Sequence, residues 1–157
     1  MKLLAGVAAV VGAVMLAVLV LWPGPAQGPE PIAYGRDVCA HCRMHLGRVG
    51  FAGEMRDREG RLTKYDDIGC LLRAMAATHH EVPGAWVEDH DSGAWLSLLT
   101  ARFVRSPRAD TPMGHGIVAF ETETTASAFA AREGGTIAQL EDLLRQPGSL
   151  AATGRTP

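Results

Sequence analysis

The chain has 157 residues, of which 47% are hydrophobic and 20% are charged, and its formal net charge is -2. This composition excludes an intrinsically disordered chain, a collagen-like repeat and a coiled coil. It also argues against a nucleic-acid-binding protein, because binding to phosphates requires an excess of basic residues that this chain lacks.

The first segment of the chain is predicted to be a membrane anchor. Residues 3–22 carry no charge, and this length matches the roughly 20 residues that cross a bilayer as a helix. The run exceeds the hydrophobic core of a typical signal peptide, and a small-x-small cleavage site is poorly formed after it. We therefore expect residues 1–22 to remain as a transmembrane anchor or uncleaved signal. Lys2 precedes the run, so the positive-inside rule predicts an extracytoplasmic domain, in the periplasm or on the outer face of the cell membrane.

A linker and one folded domain are predicted to follow this anchor. Residues 23–33 contain four prolines and two glycines, which is typical of a stiff, extended spacer. Residues 34–146 are numerous enough for one small domain and too few for two conventional domains. Residues 147–157 are predicted to form a disordered tail.

The first half of the domain is predicted to form two strands and a helix. Residues 49–65 have the pattern of a β-hairpin, with turn-forming residues at 57–60. Asp66 or Asp67 can cap the helix that follows, which we expect to end near His79. The apolar residues of this helix recur at helical spacing and are Ile68, Leu71, Leu72 and Met75.

The rest of the domain is predicted to mix short strands with short helices. Strands are predicted at 85–88, 95–98, 101–105 and 116–121, with a loop at 106–114. Helices are predicted at 125–133 and 137–146, separated by the C-cap signature of Gly134 and Gly135. This order predicts an α+β fold, with two similar halves of two or three strands and one helix each.

The most distinctive chemistry lies in the segment that begins at Cys39. Cys39 and Cys42 have CxxC spacing, so they can bind one ion together or form a disulfide, and Met44 adds a thioether. Sulfur ligands favour a soft ion such as Cu(I) over Mg2+ or Ca2+, which bind oxygen ligands. Zinc also stays open, although structural zinc sites usually have four Cys or His ligands and only Cys70 remains as a further thiol.

Two other segments are candidates for the same site. The loop at 111–116 contains Met113, which gains little from packing in a loop and can direct its sulfur at a metal. Cys70 lies in the first turn of the predicted helix, away from the apolar stripe. We interpret it as a buried free thiol or a group that supports the ligands, with direct ligation as the alternative. Asp66 and Asp67 fit helix caps better than ligands, because carboxylates are hard donors.

Taken in order, these segments resemble the NosL family, the nitrous oxide reductase accessory proteins. The motifs that carry the resemblance are Cys-Ala-His-Cys-Arg-Met at 39–44, Tyr-Asp-Asp-Ile-Gly-Cys at 65–70, Thr-Pro-Met-Gly-His-Gly at 111–116 and Glu-Gly-Gly at 133–135. Their combination is far more specific than any single motif. The resemblance covers about residues 34–144, which is nearly all of the predicted domain.

The resemblance implies a membrane-attached, exported protein that carries Cu(I), a metallochaperone and not an enzyme. It implies as partners nitrous oxide reductase or a related copper enzyme and its membrane-associated assembly proteins. It also implies a small two-lobed fold of two ββαβ-like units. Matched motif by motif, the implied copper ligands are Cys42 with Met44 or Met113, and Cys39 and His115 are further candidates.

The sequence departs from the family pattern at two places. No lipid-accepting cysteine follows the apolar segment, so the transmembrane helix is the predicted means of attachment. Arg43 stands where glycine is common in the family, and its positive charge is expected to favour a thiolate beside it.

Two other functions stay open from the sequence. A thiol-disulfide oxidoreductase would use Cys39 and Cys42, but it requires a helix directly after the CxxC motif, and Gly47 and Gly50 interrupt that stretch. A structural zinc site in a partner-binding module would stabilise the fold without passing the metal on.

Overall fold

The computed structural model describes residues 28–78 and 84–146. The predicted anchor, the first part of the linker, the predicted helix end near His79 and the predicted tail lie outside these ranges. No helix in the described ranges is both long enough and apolar enough to cross a membrane.

The first half of the domain contains a four-stranded antiparallel sheet and one helix. The strands are β1 (Gly53–Arg56), β2 (Leu62–Tyr65), β3 (Gly84–Glu88) and β4 (Trp95–Ser97), in the order β2-β1-β3-β4, and helix α1 (Ile68–Ala77) follows β2. Strands β1 and β2 form the predicted hairpin, and the Asp57 side chain accepts the backbone N–H of Arg61 across its turn. The hairpin is shorter than predicted, because β1 begins only at Gly53.

The second half contains a three-stranded antiparallel sheet and two helices. Its elements are β5 (Arg102–Arg105), β6 (Ile117–Phe120), α2 (Glu123–Glu133), β7 (Thr136–Ala138) and α3 (Leu140–Arg145), and the strand order is β6-β5-β7. The predicted helix at 137–146 was wrong in its first residues, since 136–138 pair with β5. Gly134 ends α2 in the left-handed conformation, with φ of 62°, and turns the chain back toward that strand.

The two halves repeat one chain order. Strands β1 and β2, helix α1 and strand β3 form one ββαβ unit, and β5, β6, α2 and β7 form the other. In both units the first strand lies between the second and the third. The fold is therefore a small mixed domain with two antiparallel sheets, as the α+β prediction requires.

Helix α1 contacts both units, and its first half is buried. It packs against β1 and β2 of its own unit and against β6 and α3 of the second half. Every residue from Ile68 to Leu72 is buried, so the apolar stripe predicted for this helix was too narrow at its start. A thiol in the first turn of α1, at Cys70, is therefore enclosed by protein.

Side chains of the second sheet alternate between two cores, as expected for a strand with period two. The side chains on the face toward α1 belong to the larger core and include Phe103, Ile117 and Ala119. Those on the other face pack beneath α2 and include Val104, Val118 and Phe120. The second unit is thus covered on both faces.

The buried carboxylate of Glu88 connects three segments of the first unit. Its Oε1 atom accepts a hydrogen bond from the Tyr34 hydroxyl, and its Oε2 atom accepts the N–H groups of Gly50 and Ala52 at 2.7 and 3.3 Å. Burial and the adjacent carboxylate raise the pKa of Tyr34, so its hydroxyl remains a donor. Glu88 therefore holds the chain before β1 against β3.

We predict that Glu88→Ala lowers the free energy of unfolding by about 3 kcal/mol, because it leaves buried donors without an acceptor. Urea unfolding followed by circular dichroism measures this change. The control is Glu59→Ala at the exposed hairpin turn, for which we expect a change within about 0.5 kcal/mol. Equal losses in the two variants would contradict this role of Glu88.

Candidate metal centre

Three thiols from two distant parts of the chain meet in one pocket. The Sγ atoms of Cys39, Cys42 and Cys70 all lie within 4.8 Å of one another. All three cysteines are free thiols, of which Cys39 and Cys70 are buried and Cys42 is partly buried. A metal–sulfur distance of about 2.3 Å places ligand sulfurs up to about 4.6 Å apart, so the three thiols can bind one ion after small movements.

The CxxC motif lies in a closed loop. The N–H of Cys39 donates to the carbonyl oxygen of Met44 at 2.8 Å, and the N–H of Arg43 donates to that of Cys39 at 3.0 Å. The N–H of Cys42 points at the Cys39 sulfur, 3.5 Å away. The oxidoreductase alternative requires a helix directly after the CxxC motif. In the described part of the chain no helix directly follows the motif.

Arg43 occupies a backbone conformation that favours glycine. Its φ is 68°, in the left-handed region, where a Cβ atom crowds the following carbonyl group. An L-residue costs roughly 1–2 kcal/mol there. This is the physical reason that a glycine suits the position between the second cysteine and the methionine of the loop. Whether the Arg43 charge favours the thiolate stays a prediction.

Two neighbouring carboxylates attach two loops to the start of α1. These sulfur-bearing loops are the CxxC loop and the loop that carries Met113. Asp67 is the N-cap of the helix, and its Oδ1 atom accepts the N–H of Gly69 at 2.7 Å. Its Oδ2 atom accepts the N–H of Met113 at 3.0 Å. Asp66 Oδ1 accepts the N–H of Gly47 at 3.0 Å, just after the CxxC loop, and burial raises its pKa. Both residues thus position the loops. The predicted role as a helix cap is confirmed for Asp67, whereas the Asp66 side chain binds the backbone of Gly47.

His115 lies beside the thiols. Its Nε2 atom is 3.9 Å from the sulfur of Cys70. Burial lowers the pKa of His115, which favours the neutral imidazole that binds metals. A nitrogen donor is therefore available next to the three sulfurs.

Gly69 makes room for the His115 ring, a role that the sequence interpretation missed. A Cβ atom at Gly69 would lie 2.3 Å from two carbons of the imidazole. The available signal was a glycine in the first turn of a helix, which costs about 1 kcal/mol relative to alanine and therefore indicates a packing reason.

The two candidate thioethers lie in different environments. Met113 is partly buried and packs against the core that contains Cys39 and Cys70. Met44 is 55% exposed on the CxxC loop. The structure thus places one thioether inside the domain and the other at its surface, and their roles as ligands stay predictions.

The thiols influence one another's ionisation. The pKa of Cys39 falls to about 4, chiefly because the Cys70 thiol donates a hydrogen bond to it and backbone N–H groups support the thiolate. Donating that hydrogen bond raises the pKa of Cys70, and burial raises the pKa of Cys42. At neutral pH the pocket therefore holds one thiolate, at Cys39, and two thiols whose protons a metal ion can displace.

Comparisons with known proteins identify a family and a similar solved structure. The sequence profile of the NosL family matches residues 33–146. Among solved structures, the copper chaperone NosL from Shewanella denitrificans is similar, with a TM-score of 0.68 over 75% of this chain and 96% of that chain. The two sequences are 18% identical, so this likeness establishes the shared fold. No curated protein sequence matches the chain.

We predict that Gly69→Ala displaces the His115 ring from Cys70, because the added methyl group occupies the position of the imidazole. The unfolding free energy should fall by about 1–3 kcal/mol, as expected for overpacking. The His115 ring resonances in the NMR spectrum should shift. Gly47→Ala is the matched control, since a Cβ atom at Gly47 has only an ordinary contact at 4.0 Å. Unmoved His115 resonances in Gly69→Ala would disprove this packing role.

Proposed function

This chain belongs to the NosL family, and we propose that it is a copper-binding metallochaperone. The observation that carries the proposal is the meeting of Cys39, Cys42 and Cys70, whose sulfurs lie within 4.8 Å of one another. The structurally similar protein from Shewanella denitrificans is a copper chaperone by its description, which supports copper as the cargo.

The ligand chemistry favours Cu(I). Thiolate and thioether sulfurs are soft donors, and Cu(I) is the soft ion that they select. A buried thiolate at Cys39 offers the first bond, and Cys42 and Cys70 complete a three-sulfur set when they lose their protons. We assign Met113 and His115 as neighbouring donors that can replace a thiol during transfer.

The uneven burial of the pocket supports release by ligand exchange. Cys42 is partly exposed and Met44 is 55% exposed, whereas Cys39 and Cys70 are buried. Ligands of an acceptor can therefore reach the ion from the side of Cys42 and Met44. Each exchange forms one bond to copper as another breaks, the released thiolate takes up a proton, and the ion stays Cu(I).

We also propose where the protein is located and to which enzyme it delivers copper. The charge-free run at residues 3–22 supports attachment to the cell membrane, with the domain on the extracytoplasmic side. The family resemblance supports delivery to nitrous oxide reductase or a related copper enzyme, together with its membrane-associated assembly proteins.

A structural zinc site is the second candidate, and one observation favours it. Three thiols and a histidine are a common ligand set of structural zinc, and the His115 Nε2 atom lies 3.9 Å from the Cys70 sulfur. In that case the metal would stabilise the fold, and metal removal would unfold the domain.

A competition titration tests the proposal. We predict that the reduced, full-length protein in detergent takes one Cu(I) from a chromogenic chelator under anaerobic conditions, and that excess Zn2+ does not displace it. Loss of a residue that only supports a metal ligand typically weakens metal affinity roughly 10–100-fold. Cys42→Ser and Cys70→Ser should each weaken Cu(I) binding by more than this, because both residues bind the ion directly. Absence of copper uptake would exclude the chaperone, and tighter binding of zinc with unfolding of the metal-free protein would favour the zinc module.

Methionine variants in the same titration show which of the two thioethers binds copper. Met113→Leu and Met44→Leu keep the approximate side-chain volume and remove the sulfur. Met55→Leu, in strand β1, is the matched control because Met55 packs against the same core. Affinity equal to that of the control would show that the thioether in question does not bind copper.

We further predict that copper binding releases protons. Between pH 5.5 and pH 8, Cys39 is already a thiolate and the pKa values of Cys42 and Cys70 are raised, so Cu(I) must displace the protons of both. Affinity should therefore increase with pH across this range. Calorimetry in buffers with different ionisation enthalpies measures the number released, and a value near zero would mean that Cys42 and Cys70 stay protonated.

A further inference from the structure

A second concave site lies outside the thiol pocket. We name it the arginine cleft, and its volume is about 300 Å³. Aromatic rings form its floor and arginines form its rim, and these residues are Phe51, His90, Phe129, Arg48, Arg108 and Arg132. Nothing in the proposed copper chemistry uses this cleft.

The aromatic floor is held in place by the fold. The His90 ring contacts Phe51 edge-on at 5.4 Å between centroids and Phe129 at 4.9 Å. The N–H of His90 also donates to the carbonyl oxygen of Ala119 in β6 at 2.8 Å, which joins the two sheets at this point. Val118 of the same strand is buried and also lines the cleft. The floor therefore belongs to the packed part of the domain and is formed before any ligand binds.

Two of the rim arginines stack on this floor. The Arg48 guanidinium lies 4.5 Å from the centre of the Phe51 ring, and that of Arg132 lies 5.1 Å from the centre of Phe129. Stacking leaves the N–H edge of a planar guanidinium free for hydrogen bonds. Arg48 donates two of these to Asp110, and Arg132 donates one to Glu133. Because a guanidinium carries five N–H donors, others remain for an incoming acceptor. The rim therefore presents donors next to apolar surface.

The cleft carries more positive than negative charge. Arg48 pairs with Asp110 at 2.9 Å, and the side chain of Asp110 is 91% exposed, so solvent competes for this pair. Arg132 pairs with its neighbour Glu133 at 2.9 Å. In the part of the chain that the structure describes, Arg108 has no carboxylate partner. The cleft thus contains three guanidinium groups and two carboxylates, a local excess of positive charge in a protein whose net charge is -2.

We propose that the arginine cleft binds a segment of a partner protein in which an aromatic side chain is flanked by carboxylates. An apolar centre surrounded by arginine is typical of the residues that dominate binding energy at protein interfaces. The cleft is open, and its volume is at the lower limit for small-molecule pockets, which favours one inserted side chain over a whole small ligand. Charge complementarity selects the flanking carboxylates, which arginine binds with two parallel hydrogen bonds.

The cleft shares residues with the segments next to both sulfur-bearing loops. Arg48 follows the CxxC loop, and Asp110 belongs to the loop that carries Met113, so their ion pair connects the two sulfur-bearing loops. If the proposed function holds, a partner docked here contacts residues that adjoin the loops of the copper site. The binding of the acidic segment itself does not depend on that function.

A peptide titration of the full-length protein in non-ionic detergent micelles tests the proposal. The probe is the peptide acetyl-Asp-Glu-Phe-Asp-Glu-amide, and the comparison peptide is acetyl-Asn-Gln-Phe-Asn-Gln-amide. We expect the acidic peptide to produce saturable 15N NMR shifts at the backbone amides of the cleft and at the side-chain Nε–Hε groups of its arginines. Millimolar affinity, about -4 kcal/mol, is sufficient for detection.

Variants identify the residues that bind the probe. Arg108→Gln should weaken binding at least about fivefold, the loss typical of an interface residue worth 1 kcal/mol. Arg102→Gln is the matched control, because Arg102 is exposed on β5 and does not line the cleft. Both variants should bind Cu(I) like the unchanged protein, so failure of the cleft and failure of the copper site are distinguishable.

Any of the following outcomes would overturn the proposal. They are the absence of shifts up to about 5 mM peptide, equal affinity for the uncharged peptide, equal weakening by the two arginine variants, and displacement of the peptide by equimolar inorganic phosphate. Vesicles containing phosphatidylglycerol could also displace the acidic peptide and produce the same NMR shifts in the cleft as the peptide does. That result would indicate a membrane surface as the ligand and would overturn the proposal.

Discussion

The hydrogen bonds at the start of α1 are the interactions on which the rest of this structure depends. Asp67 caps the helix and binds the backbone beside Met113, while Asp66 binds the backbone just after the CxxC loop. Buried carboxylates are costly unless their oxygens accept hydrogen bonds, and here backbone N–H groups supply them. The same contacts that make these charges tolerable bring Cys39 and Cys42 to Cys70.

The pocket shows conformational costs that a purely structural core would avoid. Arg43 has a left-handed backbone, Gly69 weakens the first turn of a helix, and three thiols share an enclosed space without a disulfide. Natural proteins depart from local rules mainly at functional sites, where another requirement compensates. In this protein the requirement is a set of soft donors that are close together and still free to bind.

The domain separates two kinds of chemistry on one scaffold. Sulfur donors meet at the start of α1, and guanidinium groups surround an aromatic floor beside β6. The ion pair of Arg48 and Asp110 belongs to the arginine cleft and connects the segments next to the two sulfur-bearing loops. The arginines that bind a partner thus lie outside the enclosed thiol pocket. An unpaired charge inside that pocket would be costly.

The sequence by itself determined the local features: the hairpin, an aspartate cap at Asp66 or Asp67, the helical spacing of α1 and the soft character of the CxxC loop. These depend on residues within about one helical turn or across a short hairpin. Only the tertiary structure decided that Cys70 joins Cys39 and Cys42, because the first turn of α1 is buried in a helix that packs against elements of both halves. It also decided that residues 136–138 form a strand, since a short segment becomes a strand only when another strand pairs with it.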